Sequence, residues 1–289
     1  MVPLGDRPSL VFHLISAYVH HPRPPGQRWI THSFPCKLVS TQSIALYTIG
    51  DRRMTQQALI QDQQKAQLKR TFRKDLKADV ELRLFTQRPS PIAVPGRECR
   101  YCVETQQMLE ELTALSPKVH LETIDIYAQP ELASDEGITR VPATAFGDKG
   151  KAKLRFFGIP MGYQLAVLVE NIKTISRGVS PLSMATRKKL REINQPVHIQ
   201  VFVTPTSADS PPIARLAHAL ALENQNITSD IVEIEEFPAL AQQYGVRSVP
   251  FTVVNEFTQI AGVVGESEFV EKVLQCGVRK NSESAPVQA

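Results

Sequence analysis

The feature that most restricts how this 289-residue chain can fold is that it repeats itself. Gly137-Ile-Thr-Arg-Val-Pro-Ala-Thr144 returns 108 residues later as Gly245-Val-Arg-Ser-Val-Pro-Phe-Thr252. At the same offset Cys99 falls on Ser207 and Cys102 on Ser210, and in each copy the first of these residues lies 43 positions ahead of the proline. A unit of about 110 residues is of ordinary domain size, so the length is best divided between two cores.

Secondary-structure signals repeat in step. Val80–Phe85 and Val197–Phe202 read as strands, but at an offset of 117, which leaves nine extra residues in the first unit. These fall in Gln87–Glu98, where Pro89, Pro91, Pro95 and Gly96 predict an irregular loop. Met108, Leu109 and Leu112 form a helical stripe matched by Leu216, Ala217 and Leu220, with Ile213 one turn earlier. Ile124 and Ile126 around Asp125 correspond to Val232 and Ile234 around Glu233, which predicts strands with one face more buried than the other. Basic helical stretches, Gln61–Lys77 and Met184–Ile193, open the units, and apolar helices, Gln164–Ile175 and Glu268–Gln275, close them. Strands alternating with helices at this spacing need a parallel crossover, followed by an antiparallel pair. The expected class is α/β, a mixed central sheet flanked by helices in each unit. Gly178 and Pro181 within Ser176–Pro181 mark the boundary. The division is a 1–53 extension, a 54–178 unit with the cysteine pair and a 179–289 unit without it.

Charge bears on partners only through its position. The net +4 arises wholly in residues 1–53, with six basic and two acidic side chains, while the remainder carries 27 of each sign. No basic face for nucleic acid or an anionic membrane is therefore expected in the body. No apolar run reaches the roughly 18 residues that span a bilayer. The extension, which holds Trp29 and Cys36, lacks sustained periodicity and reads as disordered, or as untranslated with a start at Met54. Its Leu10–Val19 run is interrupted by His13 and lacks a basic leader, unlike a secretory signal, and its poverty in acids leaves an organelle transit peptide as another reading.

Cys99 and Cys102 form one close pair in a thiol-poor chain without a secretory signal. This points to a reducing, cytoplasmic setting and to the pair as the chemically active feature. A structural zinc site needs four ligands. Cys36 and Cys276 are single, and His120, His198 and His218 lack ligand spacing, so neither metal nor cofactor is expected. His218 is assigned to surface or packing, and Cys276 to the end of a helix stopped by Gly277. Disulfide exchange requires an exposed thiolate and a second thiol close by. At a helix start Cys99 would sit at or before the first turn, where free N–H groups and the dipole favour S⁻, with Cys102 one turn in as the partly buried resolving thiol. Arg100 favours the thiolate and Glu98 opposes it.

A Cys-x-x-Cys after a strand, opening a helix and 43 residues before Val-Pro, resembles the tandem thioredoxin-fold protein disulfide oxidoreductases, often labelled glutaredoxin-like proteins. It is similar, more distantly, to the paired thioredoxin-like domain that heads the flavoprotein component of alkyl hydroperoxide reductase. The likeness spans about residues 58–276, including Arg140-Val-Pro-Ala-Thr144, Phe156-Phe-Gly-Ile-Pro160 and the stretches Val201–Thr206 and Phe237–Ala241. It implies two tandem thioredoxin-like folds, a cis Pro142, and a Val141 backbone that pairs with an extended substrate. Arg100 and Tyr101 join these two as candidate substrate contacts. The implied function is thiol–disulfide exchange at Cys99–Cys102, reducing or isomerising protein disulfides, with a thioredoxin-reductase-like flavoprotein and a peroxiredoxin as implied partners. A non-catalytic interaction or chaperone-like module, and a donor dedicated to a peroxiredoxin, are the alternatives.

The chain departs from that family in the nine-residue insertion, in Arg100 where proline is common, and in Ser207 and Ser210, which make the second unit redox-silent. Ser210 followed by Pro211 reads as a helix cap with proline at the first helical position. The intact Val249-Pro250 motivates a substrate- or partner-binding role for the second unit. Phe156-Phe-Gly-Ile159 stands where a Gly-Gly glutathione element would follow, which disfavours a glutathione-dependent glutaredoxin.

Overall fold

Apolar strands that must be buried on both faces need helices on either side, and the chain supplies them in the same order twice. The computed structural model describes residues 58–88, 99–147 and 152–278, all within one unit spanning residues 55–289. The first half runs α1 (Asp62–Asp75), β1 (Val80–Thr86), α2 (Cys102–Thr113), β2 (Val119–Asp125), α3 (Pro130–Asp135), β3 (Ala143–Phe146), β4 (Leu154–Phe157) and α4 (Gln164–Arg177). The second half follows as α5 (Met184–Leu190), β5 (Val197–Val203), α6 (Ser210–Glu223), β6 (Ile227–Glu233), α7 (Pro238–Gln243), β7 (Phe251–Val254), β8 (Thr258–Ala261) and α8 (Glu266–Gly277).

The eight strands of the described residues join in one sheet of order β2-β1-β3-β4-β6-β5-β7-β8. Within each half the central strand pairs parallel with one neighbour and antiparallel with the other, and the last two strands form an antiparallel pair. Each half is thus a thioredoxin-like fold. Parallel pairing of β4 with β6 welds them edge to edge, so that the C-terminal ends of β1, β4, β5 and β6 point the same way. The larger core, including Leu82, Leu84, Leu109, Val167, Leu168, Ile199, Val201 and Leu220, lies under α1, α2, α4 and α6. A smaller one, including Phe85, Ile124, Phe157, Phe202 and Val232, lies on the opposite face under α3 and α7.

The weld explains one departure from expectation. β6 is not more buried on one face than the other, because with β4 and β5 on its two sides it lies inside the sheet and nearly every residue is covered. Asp230 is therefore buried, and it survives by pairing. In register with Arg155 of β4, it receives the guanidinium through Nε at 2.6 Å and Nη2 at 3.1 Å, and His198 Nε2 lies 2.7 Å away. Buried Arg83 is matched likewise by Glu136, 2.7 Å from Nη2. Unpaired, either charge would carry a large desolvation penalty.

Two further expectations shift. α5 ends at Leu190, short of Ile193, because the side-chain amides of Asn224 and Asn226 take the carbonyls of Leu190 and Ile193 at 2.6 and 3.1 Å. Gly277 is not a left-handed stop but the last residue of α8, and its glycine is dictated by packing: a Cβ there would lie 2.7 Å from Val197 Cγ2 and 2.9 Å from Ile193 Cγ2. Residues 1–53, Met54 and the proline-rich part of the insertion, 89–98, lie outside the described residues. Among the described residues, no helix is long and apolar enough to cross a membrane.

Candidate active site

The cysteine pair follows β1 in the chain, and α2 begins three residues after Cys99. Cys99 and Cys102 are disulfide-bonded, with their Cα atoms 5.5 Å apart. Cys99 is half-buried, whereas Cys102 is only 2 % exposed. Cys102 is not one turn into the helix: Tyr101 is the N-cap and Cys102 the first helical residue. Both Thr105 N–H and Thr105 Oγ1 donate to the Tyr101 carbonyl, at 2.9 and 2.6 Å. This closes the first turn, and helix geometry leaves its leading N–H groups without intrahelical acceptors beside the sulfurs.

Arg100 is exposed, with its guanidinium carbon 5.0 Å from the Tyr101 ring centre. Tyr101 is half-buried and packs on the large core, so part of its surface is structural. The Val141–Pro142 peptide is cis, as is Val249–Pro250. Pro142 is buried, and its carbonyl accepts Gly158 N–H at 2.8 Å. Val141 makes no backbone hydrogen bond among the described residues, which leaves its N–H and C=O available at the cleft.

That cleft, about 420 Å³, is lined by Cys99, Arg100 and Val141 from the first half and by Glu235, Glu236 and Phe237 from the second. Sequence reasoning missed the second set. The loop after β6 is shaped by the buried Glu233 carboxylate, which accepts the N–H groups of Glu235 and Glu236 at 3.0 and 2.8 Å. Glu236 Oε1 in turn accepts Ile159 N–H at 2.6 Å, and Phe237 lies under the Arg140 guanidinium, 5.7 Å from its carbon. Gly158 permits the close approach: its φ is +99°, and a Cβ would lie 2.7 Å from both Glu233 Cβ and Glu236 Oε1. Burial pushes the Glu236 carboxyl up to about 7, with the Glu233 and Glu104 charges adding and Ile159 N–H and Arg100 opposing. The nearest sequence signal was Glu233-Ile-Glu-Glu236 at a strand end, but nothing in it says that the loop faces the other unit's cysteines.

The second half keeps the same local geometry without the sulfurs. Ser210 is not the cap; Asp209 is, and buried Ser210 is the first helical residue, the register of Cys102 in α2. Its hydroxyl donates to Ser207 Oγ at 2.8 Å. A variant carrying both Ser207→Cys and Ser210→Cys is therefore expected to form a second disulfide on mild oxidation. Thiol titration before and after reduction would then show twice the wild-type increment; no added increment would mean that the two side chains are not held within bonding reach. His218 is a packing residue: fully buried, it meets Asn171 Nδ2 at 2.6 Å through Nδ1, and burial lowers its pKa to about 4. Half-buried Cys276 carries a free thiol near the end of α8. Among the described residues, no group of three or more His, Cys, Asp or Glu is placed to hold a metal ion.

Residues 197–275 match a family model described as a thioredoxin domain. The whole fold is similar to the crystal structure of a protein disulfide oxidoreductase from Aeropyrum pernix, 28% identical, covering 75% of this chain and 93% of that one at a TM-score of 0.68. The N-terminal domain of an alkyl hydroperoxide reductase from Enterococcus faecalis shares the fold at 24% identity and a TM-score of 0.66, covering 74% of this chain and 99% of that one. Among curated proteins, an alkyl hydroperoxide reductase component of Staphylococcus aureus is 21% identical over 153 residues, 53% of this chain. The chain spans 27% of the length of that relative.

Proposed function

We propose that this chain of two tandem thioredoxin folds is a thiol–disulfide oxidoreductase in which Cys99 attacks and Cys102 resolves. The observation that carries the reading is a disulfide at the head of α2, with one sulfur reachable from a cleft and the other buried. In the reductive direction the Cys99 thiolate attacks one sulfur of a substrate disulfide. The substrate S–S bond breaks, a mixed disulfide forms, and the first substrate sulfur leaves as a thiolate. Cys102, once deprotonated, attacks Cys99 Sγ and releases the second substrate sulfur. Two electrons pass to the substrate, the protein is left as its disulfide, and the proton given up by Cys99 on forming its thiolate and the one given up by Cys102 balance those taken by the two product thiols.

Glu236 lines the same cleft and holds a proton to about pH 7, so it is suited to take a proton from a cysteine and return it to a departing thiolate. An extended substrate segment would lie along the free backbone edge of Val141, with Pro142 placing no competing N–H there. Arg100 and Tyr101 flank the nucleophile on the helix side.

The setting is cytoplasmic, and the substrates are protein disulfides. Residues 54–178 form the redox unit, 179–289 a redox-silent unit and 1–53 an extension. The likeness to the alkyl hydroperoxide reductases supports a second reading, in which the electrons come from a thioredoxin-reductase-like flavoprotein and go to a peroxiredoxin. Insulin-disulfide reduction by the wild-type protein with dithiothreitol tests the activity. The expected result is precipitation of the insulin B chain well ahead of the dithiothreitol control; a rate equal to the control overturns the oxidoreductase reading in favour of a non-catalytic module.

A further inference from the structure

We propose that Glu235 is a specificity-determining residue: the loop Glu235–Phe237 of the second half walls the substrate cleft of the first half and selects disulfides with a lysine or arginine beside the attacked cysteine. The inference rests on the oxidoreductase reading and assigns the redox-silent half a part in it.

Three observations carry it. The loop belongs to the cleft that contains Cys99 and Val141, so a peptide laid along Val141 runs past it. The loop is pre-organised. Its N–H groups are fixed on Glu233, Glu236 is tied to Ile159 of the first half, and Phe237 N–H bonds the Glu233 carbonyl at 3.3 Å. A substrate therefore meets a wall whose ordering cost has already been met in folding. Finally, the Glu235 side chain is exposed and has no hydrogen bond or ion pair among the described residues, whereas its neighbours are engaged.

The other charges around the cleft set the sign. Arg100 stands on the opposite wall over Tyr101, and Glu104 of α2 is near enough for its charge to act on Glu236. Arg140, from the connection between α3 and β3, is occupied by the rings of Phe157 and Phe237 at 5.4 and 5.7 Å. Glu233 is turned inward onto backbone N–H groups, and Glu236 is taken up by Ile159. Among the described residues, the second-half wall thus presents the unpaired Glu235 carboxylate, with Glu236 beside it held through one oxygen by Ile159, and the helix-side wall presents the Arg100 guanidinium. A residue one or two positions from the attacked cysteine lies about 3–7 Å along an extended peptide, in a cleft whose lining includes both Cys99 and Glu235.

The test uses the full-length protein and two synthetic peptide disulfides, identical except for Lys or Glu next to the cysteine. At low salt the wild type is expected to favour the Lys peptide by about fivefold in kcat/KM, as one exposed charge contact allows. Glu235→Lys should invert the preference and Glu235→Gln should bring it near unity, while about 0.5 M salt should shrink the wild-type ratio as the Debye length falls to about 4 Å. Turnover of both peptides with a ratio near one, or a ratio unmoved in both variants, overturns the specificity assignment and leaves the oxidoreductase reading standing. No turnover of either peptide or of insulin overturns that reading and the assignment with it.

Discussion

Cys99→Ser should remain folded and lose insulin reduction by at least about 10³-fold, because no other thiol among the described residues is placed to take over. Cys102 is 2 % exposed and begins the helix, so a protein disulfide cannot be brought in line with its sulfur. Cys276 sits near the end of α8, near Thr258 of β8 rather than at the cleft. Cys102→Ser should behave differently. The nucleophile is intact and the resolving thiol is gone, so the mixed disulfide with substrate accumulates and can be seen as a mass adduct that dithiothreitol removes. If Cys99→Ser keeps wild-type turnover, or if the adduct forms in Cys99→Ser and not in Cys102→Ser, the roles are reversed. Both variants should melt close to the reduced wild type, since a serine differs from a thiol by one atom.

Glu236→Gln should change both the pH profile and the stability. If the carboxylate is the proton acceptor, as proposed above, kcat/KM should rise through about pH 7, to which burial pushes the Glu236 carboxyl. Glutamine keeps the oxygen that accepts Ile159 N–H but cannot take a proton. The expected loss is about tenfold above pH 7, smaller than usual for a general base because water also reaches this open cleft. The inflection near 7 should disappear and leave that of the thiol.

Stability moves the other way. The folded pKa of about 7 lies above the ordinary value of 4.5, so the protonated carboxyl favours the fold. That contribution is complete below about pH 4.5 and is lost as pH rises through 7. Glutamine cannot ionise and escapes the loss. Glu236→Gln should therefore gain on the order of 1–2 kcal/mol over the wild type at pH 8 relative to pH 5, the exposed part of the side chain being screened by water. Thermal melts of both proteins at the two pH values measure it. An equal difference at pH 5 and pH 8 would show that folding does not perturb this carboxyl.

Much of the fold could be read from local pattern because the same segments carry it twice. β1 and β5, the helices after the motif and the paired Val-Pro segments follow from periodicity and from the offset between the copies. Where the reading slipped, the cause was a contact with a distant part of the chain. β6 looked half-buried because nothing in Ile227–Glu233 says that β4 will pair with it. Gly277 looked like a stop because a glycine after a helical stripe usually is one, whereas the methyl groups of Val197 and Ile193 exclude any side chain there. Ser210 looked like a cap because serine before proline suits that position, yet Asp209 holds the cap and Ser210 already belongs to the first turn.

The active pair divides along the same line. Two cysteines separated by two residues ahead of a helical stripe specify a disulfide-forming turn, since covalent geometry and the helix start are local properties. The depth of Cys102, the free edge of Val141 and the carboxylates facing them depend on which strands become neighbours. Glu235 and Glu236 lie more than 130 residues from Cys99 in sequence and reach its cleft because parallel pairing of β4 and β6 aligns the C-terminal ends of strands from both halves. The environment of Glu236 is set there as well: a glutamate is an ordinary acid in the chain, and only burial in this loop, with the Glu233 charge beside it, raises its proton affinity.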